Sequence, residues 1–285
     1  MDAPEHHFAD LDALRIHYAT AGPEAGPPVL LLHGFPEFWY GWRRQIPALA
    51  AAGYRVIAPD QRGYNLSSKP LGRQSYDLDL LAADILALMD HLGHGRVYLV
   101  GHDWGAAVAW WLAIHHPQRI RKLAILNVPH PRVMARNLRR NPRQILKSWY
   151  MFFFQIPWLP EFLLGAADGA GLATLLRRSG KADSFNEEEL GRYRAAWRQP
   201  GALTSMLNWY RALFRRASQS MPGGRIKLPV LVLWGERDVA LSVEMAEQSL
   251  AYCADGRLEL FPQATHWLQH DEADAVNRYL IEFLS

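Results

Sequence analysis

Residues 97–110 read VYLVGHDWGAAVAW: an apolar run, two glycines bracketing His102-Asp103-Trp104, then a run of small residues. A Gly-x-nucleophile-x-Gly pentapeptide in such surroundings lies on a sharp turn between a strand and a helix, and it normally presents a serine. Here the presented residue is Asp103. Gly101 and Gly105 relieve the crowding at such a turn, because residues without a Cβ tolerate strained backbone and close helix packing. Taken alone, the aspartate could also be the N-cap of the helix that follows.

Outward from this turn, apolar runs bounded by turn residues recur as VLLLHG (29–34), YRVIAPD (54–60), KLAILNV (122–128), VLVLWGE (230–236) and LELFP (258–262). Runs this short and solidly apolar suit strands buried on both faces. Amphipathic stretches such as YDLDLLAADILALMDHLG (76–93) separate most of them, so the fold class is α/β, a mainly parallel sheet covered by helices. The alternating N-terminal segment adds a hairpin of two edge strands and brings the expected sheet to eight.

From residue 131 to residue 221 the pattern turns helical without an obvious buried strand. The expected organisation is therefore a core of 1–130 and 222–285 carrying a helical cap of 131–221. Insertions on such sheets sit at the carboxyl ends of the strands, where ligands bind. Within the insertion Arg132, Arg136, Arg139, Arg140, Arg143 and Lys147 fall at helix-compatible spacing, interrupted by Pro142. A docking stripe for an acidic partner is one reading, and a solvated helix face is the plainer one.

Composition narrows the class of protein. With 285 residues, 49% of them hydrophobic and 21% charged, the chain has ample material for a buried core. A formal charge of +3 is a weak argument for nucleic acid or a membrane surface, and neither is expected as a partner. The single Cys253 makes no internal disulfide and the 12 histidines show no zinc-site spacing, so no metal is expected and a reducing cytoplasm fits best. The N-terminus lacks the basic-then-apolar pattern of a signal peptide. SWYMFFFQIPWLPEFLLG (148–165) is the most apolar window, but Pro157 and Pro160 interrupt it, and it reads as cap or pocket.

An acid and a histidine should follow the nucleophile in chain order. LWGERD places Asp238 just after one apolar run, and FPQATHWLQ places His266 just after the next. Each has an ordinary explanation alone, a helix cap or a structural histidine. Together the three residues occupy strand ends on one side of the sheet. HGFPEFWYGW (33–42) follows another strand and would aim the Phe35 N–H at the site beside that of Trp104, a pair of oxyanion donors, with Pro36 stiffening the turn.

HGFPEFWYGWRRQIPALAAAGYRVIAPDQRGY (33–64), VGHDWGAAVAW (100–110), LNWYRALF (207–214), WGERD (234–238) and THWLQ (265–269) together resemble epoxide hydrolases of the α/β-hydrolase fold, over nearly the whole chain. The resemblance implies Asp103 as nucleophile, His266 and Asp238 as water-activating base and its acid, and two cap tyrosines, matched by Tyr150 and Tyr210. A phenol with a pKa near ~10 stays protonated at neutral pH and can donate to an epoxide oxygen. Attack by Asp103 on an epoxide carbon gives a hydrolysable ester, where a serine would give a stable ether. The implied substrates are an apolar epoxide and water, with no metal and no organic cofactor. Phe35, Trp104, Phe152, Phe153 and Trp267 are expected to line the pocket, with Phe38 and Trp39 nearby.

Haloalkane dehalogenases share the elbow and the HGxP turn, but they typically carry Asn where Phe35 stands. A fluoroacetate-type dehalogenase would want arginine at Trp104. A non-catalytic binding protein on the same scaffold is the rival of another class, and the complete triad counts against it. Asn65 stands where the epoxide hydrolases usually have glycine, and asparagine tolerates the positive φ of that turn. Monomer and homodimer are both compatible with the sequence.

Overall fold

The computed structural model describes residues 3–12, 14–215 and 224–285. Strands β1 (Glu5–Leu11) and β2 (Leu14–Ala21) form the expected antiparallel hairpin. β3 (Pro28–Leu32), β4 (Arg55–Pro59), β5 (Val97–His102), β6 (Ile120–Leu126), β7 (Ile226–Gly235) and β8 (Cys253–Phe261) run parallel to one another. The eight strands form one sheet in the order β1-β2-β4-β3-β5-β6-β7-β8, an α/β-hydrolase fold.

Alternate residues of the central strands feed two separate cores. Val29 and Leu31 of β3 face one side, where α1 (Gln45–Ala51) packs, while Leu30 and Leu32 face the other, covered by α2 (Leu78–His91) and α3 (Trp104–His115). The first core takes in Val56, Val100, Ala124 and Leu231, and the second Ile57, Leu99, Ile125 and Val232. Both faces are dry, which is why these strands read as unbroken apolar runs. β8 departs from that rule. It begins at Cys253, five residues ahead of the run LELFP, and most of its side chains are exposed or half-buried. As the edge strand it is held by backbone pairing with β7, for which apolar side chains on both faces are not needed.

Between β6 and β7 the described residues form six helices: α4 (Pro131–Arg140), α5 (Pro142–Lys147), α6 (Trp149–Phe153), α7 (Leu159–Ser179), α8 (Glu187–Trp197) and α9 (Ala202–Arg215). No strand occurs among the described residues of this insertion, and the expected end of the cap, residues 216–221, lies outside them. Pro142 breaks the basic stripe as its chemistry demands: it opens α5 at N1, where the Asn141 side chain accepts the Arg143 and Gln144 N–H groups. Helices α10 (Glu244–Leu250), α11 (Leu268–Asp271) and α12 (Ala273–Leu284) complete the chain. Asn65 has φ +40, the left-handed turn expected of it, and its amide donates to Asp60 Oδ2 at 2.7 Å.

The cap is bolted to the core by buried polar contacts. Trp197 Nε1 donates to the Pro36 carbonyl at 2.6 Å, and Trp209 Nε1 to the Arg62 carbonyl at 3.0 Å. The Arg62 guanidinium in turn grips Asp84 of α2 through two bonds of 2.7 and 2.5 Å. Both members of this pair are nearly sealed from solvent, so removing one leaves the other charge uncompensated. Asp84→Ala is therefore expected to cost about 3 kcal/mol of stability in urea unfolding. A loss below about 1 kcal/mol, the value of an exposed pair, would contradict this account.

Candidate active site

Five neighbouring strands, β3, β5, β6, β7 and β8, end along one edge of the sheet, and the loop after each contributes a group. The turn after β5 is the tightest. Asp103 sits at φ +49 and ψ −123, and α3 starts at the next residue. A Cβ on Gly105 would lie 2.1 Å from the Leu32 carbonyl oxygen, and one on Gly34 would lie 2.2 Å from the Asp103 Cβ, so only glycine fits at either place. The Asp103 side chain makes no capping bond to the described residues of α3. Its Oδ1 instead accepts the Phe35 N–H at 2.7 Å, which disposes of the N-cap reading. The Phe35–Pro36 peptide bond is cis. Trp104 is the first residue of α3, a position whose N–H has no acceptor within the helix.

Asp103 Oδ2 lies 3.6 Å from His266 Nε2, and His266 Nδ1 lies 2.7 Å from Asp238 Oδ2. Asp238 also accepts the Ala240 and Leu241 N–H groups on Oδ1, so it shapes its own loop as well as facing the histidine. Its Oδ2 takes a further bond of 2.8 Å from Asn127, the residue after β6, which has φ +54. Asn127 was not singled out from sequence. Its position directly after an apolar strand, like that of Asp103, is the signal that could have found it.

Burial alone would neutralise this cluster; mutual attraction keeps it charged. Desolvation raises the Asp103 and Asp238 carboxyls, but the adjacent His266 outweighs it and holds both below the ordinary carboxylate value. Desolvation likewise lowers His266, and the two carboxylates flanking it reverse that and raise it to about 10. At neutral pH the resting cluster is an imidazolium between two carboxylates.

A second layer lies behind the first. His102 Nε2 donates to the His266 carbonyl at 2.9 Å, and His102 Nδ1 lies 3.1 Å from Gln269 Nε2 and 3.6 Å from Glu37 Oε2. Glu37 is fully buried and accepts from Gln269, His270 and Tyr193, the last from cap helix α8, and the adjacent His270 and His102 hold its carboxyl well below the ordinary value against desolvation. None of these was read from sequence as part of the site.

Asp103 forms the floor of a cavity of about 330 Å³ whose wall includes Tyr150, Met151 and Phe152 of the insertion and Tyr210 of α9. The two tyrosine rings stand 5.9 Å apart at 82°, and Tyr210 packs edge-on against Trp104 and Phe35. Burial first, and the Asp103 charge second, push both phenols upward, so both remain protonated. The rest of the wall is apolar: Leu138, Met134, Val128, Leu213 and Leu241.

Of the expected pocket aromatics, Trp104 and Phe152 line the cavity. Among the described residues the wall does not include Phe35, Phe153 or Trp267. The Phe35 ring packs under Phe154 and Tyr210, and Phe153 lies against Trp149 and Phe154. Trp267 is on the far side of His266, where its Nε1 donates to Ser179 at 2.8 Å. Pro131, Met134, Ala135 and Leu138 fill the space instead, the apolar side of the helix read only for its arginines. Lys147, placed on that stripe, is half-buried and donates to the Asp238 carbonyl at 2.7 Å. No cluster of metal-ligating side chains occurs among the described residues.

The family model for the α/β-hydrolase fold matches residues 27–273. The AB hydrolase superfamily protein YfhM of Bacillus subtilis is 44% identical over 284 residues, 100% of this chain and 99% of that protein. Human epoxide hydrolase 4 is 42% identical over 277 residues, 95% of this chain and 76% of that protein. A crystal structure of Bacillus megaterium epoxide hydrolase in complex with an inhibitor matches with a TM-score of 0.90 at 31% identity, covering 98% of this chain and 99% of that one. This chain belongs to the epoxide hydrolases of the α/β-hydrolase fold.

Proposed function

We propose that this enzyme opens an apolar epoxide to a vicinal diol through a covalent ester on Asp103. The observation that carries the reading is the convergence of Tyr150 and Tyr210 on the one apolar cavity floored by the Asp103 carboxylate. Two protonated phenols opposite a carboxylate suit a substrate that must be attacked at carbon while its oxygen leaves without departing. Halide release needs no proton donor, and Phe35 offers no side-chain donor for a halide, so dehalogenation is the weaker reading.

In the first step Asp103 Oδ2 attacks a ring carbon, since Oδ1 is engaged by the Phe35 N–H. The C–O bond of the ring breaks as Tyr150 and Tyr210 hydrogen-bond the oxygen, and one of them supplies its proton. In the second step His266 releases its resting proton to solvent as loss of the Asp103 charge lowers its affinity, and then, oriented by Asp238, takes a proton from water as the hydroxide attacks the ester carbonyl carbon. Negative charge collects on Oδ1, already seated at the Phe35 N–H and beside the first turn of α3. Collapse releases the second hydroxyl, protonated by His266, and Asp103 ionises again as the tyrosine regains its proton.

The direct test is a panel of epoxides and haloalkanes scored for diol and for halide. Diol from epoxides is expected, and Tyr150→Phe or Tyr210→Phe should each lower kcat/KM about 100-fold without slowing ester hydrolysis. Halide without diol would overturn the assignment. A His266→Gln variant should accumulate a protein adduct heavier by one epoxide, located at Asp103 by peptide mass mapping. An adduct on another residue, or none from a folded variant, would refute the ester.

The two steps should part company in pH. Asp103 is held ionised below the ordinary carboxylate range, so ester formation should be flat from about pH 5 to 8. Ester hydrolysis needs neutral His266, whose raised affinity for protons makes it lose rate as pH falls through the same window. Single-turnover stopped flow resolves the steps, and a pH-independent hydrolysis step would remove His266 as the base.

A further inference from the structure

From Trp104 to Pro160 the chain contains no aspartate or glutamate, while residues 131–160 hold five arginines and Lys147. The whole-chain charge of +3 conceals this local excess. All five arginine side chains are exposed. Arg136 donates to the neutral Gln248 amide at 2.7 Å, a contact that leaves its charge uncancelled.

Immediately downstream the chain turns apolar without turning inward. Leu146 is 75% exposed, Trp149 62%, Phe152 52%, Trp158 73% and Phe162 67%. Trp158 is held at φ +54, a conformation unfavourable for a bulky side chain, and is nonetheless directed to solvent. Exposed apolar groups gathered in this way mark an interaction surface. Arg139 and Phe152 both line the cavity above Asp103, so the cationic and apolar parts of the surface meet at its mouth.

We propose that this face of the cap docks on an anionic lipid bilayer and turns the cavity mouth toward it. On the functional reading above, on which this consequence rests, an apolar epoxide would enter from the lipid phase. Arginines flanking exposed tryptophan, phenylalanine and leucine form the composition of a surface that sits at the headgroup boundary. A second copy of the chain is a poorer occupant, because a two-fold contact through this face would set arginines against arginines. The proposal departs from the sequence-based expectation of no membrane partner, which weighed total charge and spanning length. Helix α7, Leu159–Ser179, is long and apolar enough to cross a membrane, but residues Ala166 to Gly169 are non-helical and break it, which favours lying on a surface.

Co-sedimentation of the full chain with phosphatidylcholine vesicles, with and without phosphatidylglycerol, tests this without substrate, and so independently of any diol assay. Binding only to the phosphatidylglycerol vesicles is expected, with release in about 1 M salt, where the Debye length shrinks to ~3 Å. Arg140→Glu with Arg143→Glu, and separately Trp149→Ser with Phe162→Ser, should each lower the bound fraction at least about tenfold. These side chains do not line the cavity, so diol formation from a water-soluble epoxide should persist and certify folding. No sedimentation, equal sedimentation with neutral vesicles, or unchanged binding by both folded pairs would overturn the proposal. A dimer in light scattering that the Trp149→Ser, Phe162→Ser pair dissolves, with no vesicle binding, would assign the face to a second copy.

Discussion

The bond of 2.7 Å from the Phe35 N–H to Asp103 Oδ1 is the constraint on which the site depends. It joins the loop after β3 to the turn after β5, the two central parallel strands of the sheet. It also adds to the larger pull of His266 that keeps this buried carboxylate ionised on its strained turn. Because one oxygen is fixed by the backbone, the other is left facing His266 and the cavity. Close approach of the two loops makes the bond possible, and Gly34 and Gly105 make the approach possible.

His266 is held from several directions. Asp238 takes its Nδ1, and Asn127 and the loop amides occupy the remaining lone pairs of Asp238. His102, next to Asp103, binds the His266 carbonyl, and Gln269 and Glu37 stand behind it. Through Tyr193 the same network reaches the cap. Cap position and base orientation are therefore tied through buried hydrogen bonds, for which leaving any partner unpaired is costly.

What the sequence discloses follows from how local each signal is. The strand ends, the glycine-bracketed Asp103 and the chain order of acid and base are written in contiguous runs, and the parallel sheet then brings them to one edge without further information. The cavity wall is not local. Trp267 follows His266 directly yet points away from the cavity, whereas Met134 and Leu138 lie far from any motif and line it. Which aromatic belongs to a pocket depends on helix rotation within the cap, and the short helices α4 to α6 turn at Pro142 and Ser148 in ways that periodicity does not fix. Glu37 was hidden for a related reason: it sits inside the HGFPE turn, where a charged residue reads as solvated until its three partners, distant in sequence, are assembled.

The charge on Asp103 also links the two proposed half-reactions. While ionised, it helps raise His266 to about 10 and pushes Tyr150 and Tyr210 upward, so the base is protonated and the phenols are poor acids. Ester formation removes that charge from the centre of the cluster. The phenols are then relieved of a neighbouring anion as the ring oxygen needs a proton, and His266 keeps only Asp238 as counter-ion as water must be activated. Each change follows from the loss of one carboxylate at short range in a buried site. On that proposal no movement of the cap is needed to switch the site from nucleophilic attack to hydrolysis, because the substrate would perform the switch by binding covalently to the residue that sets the potential.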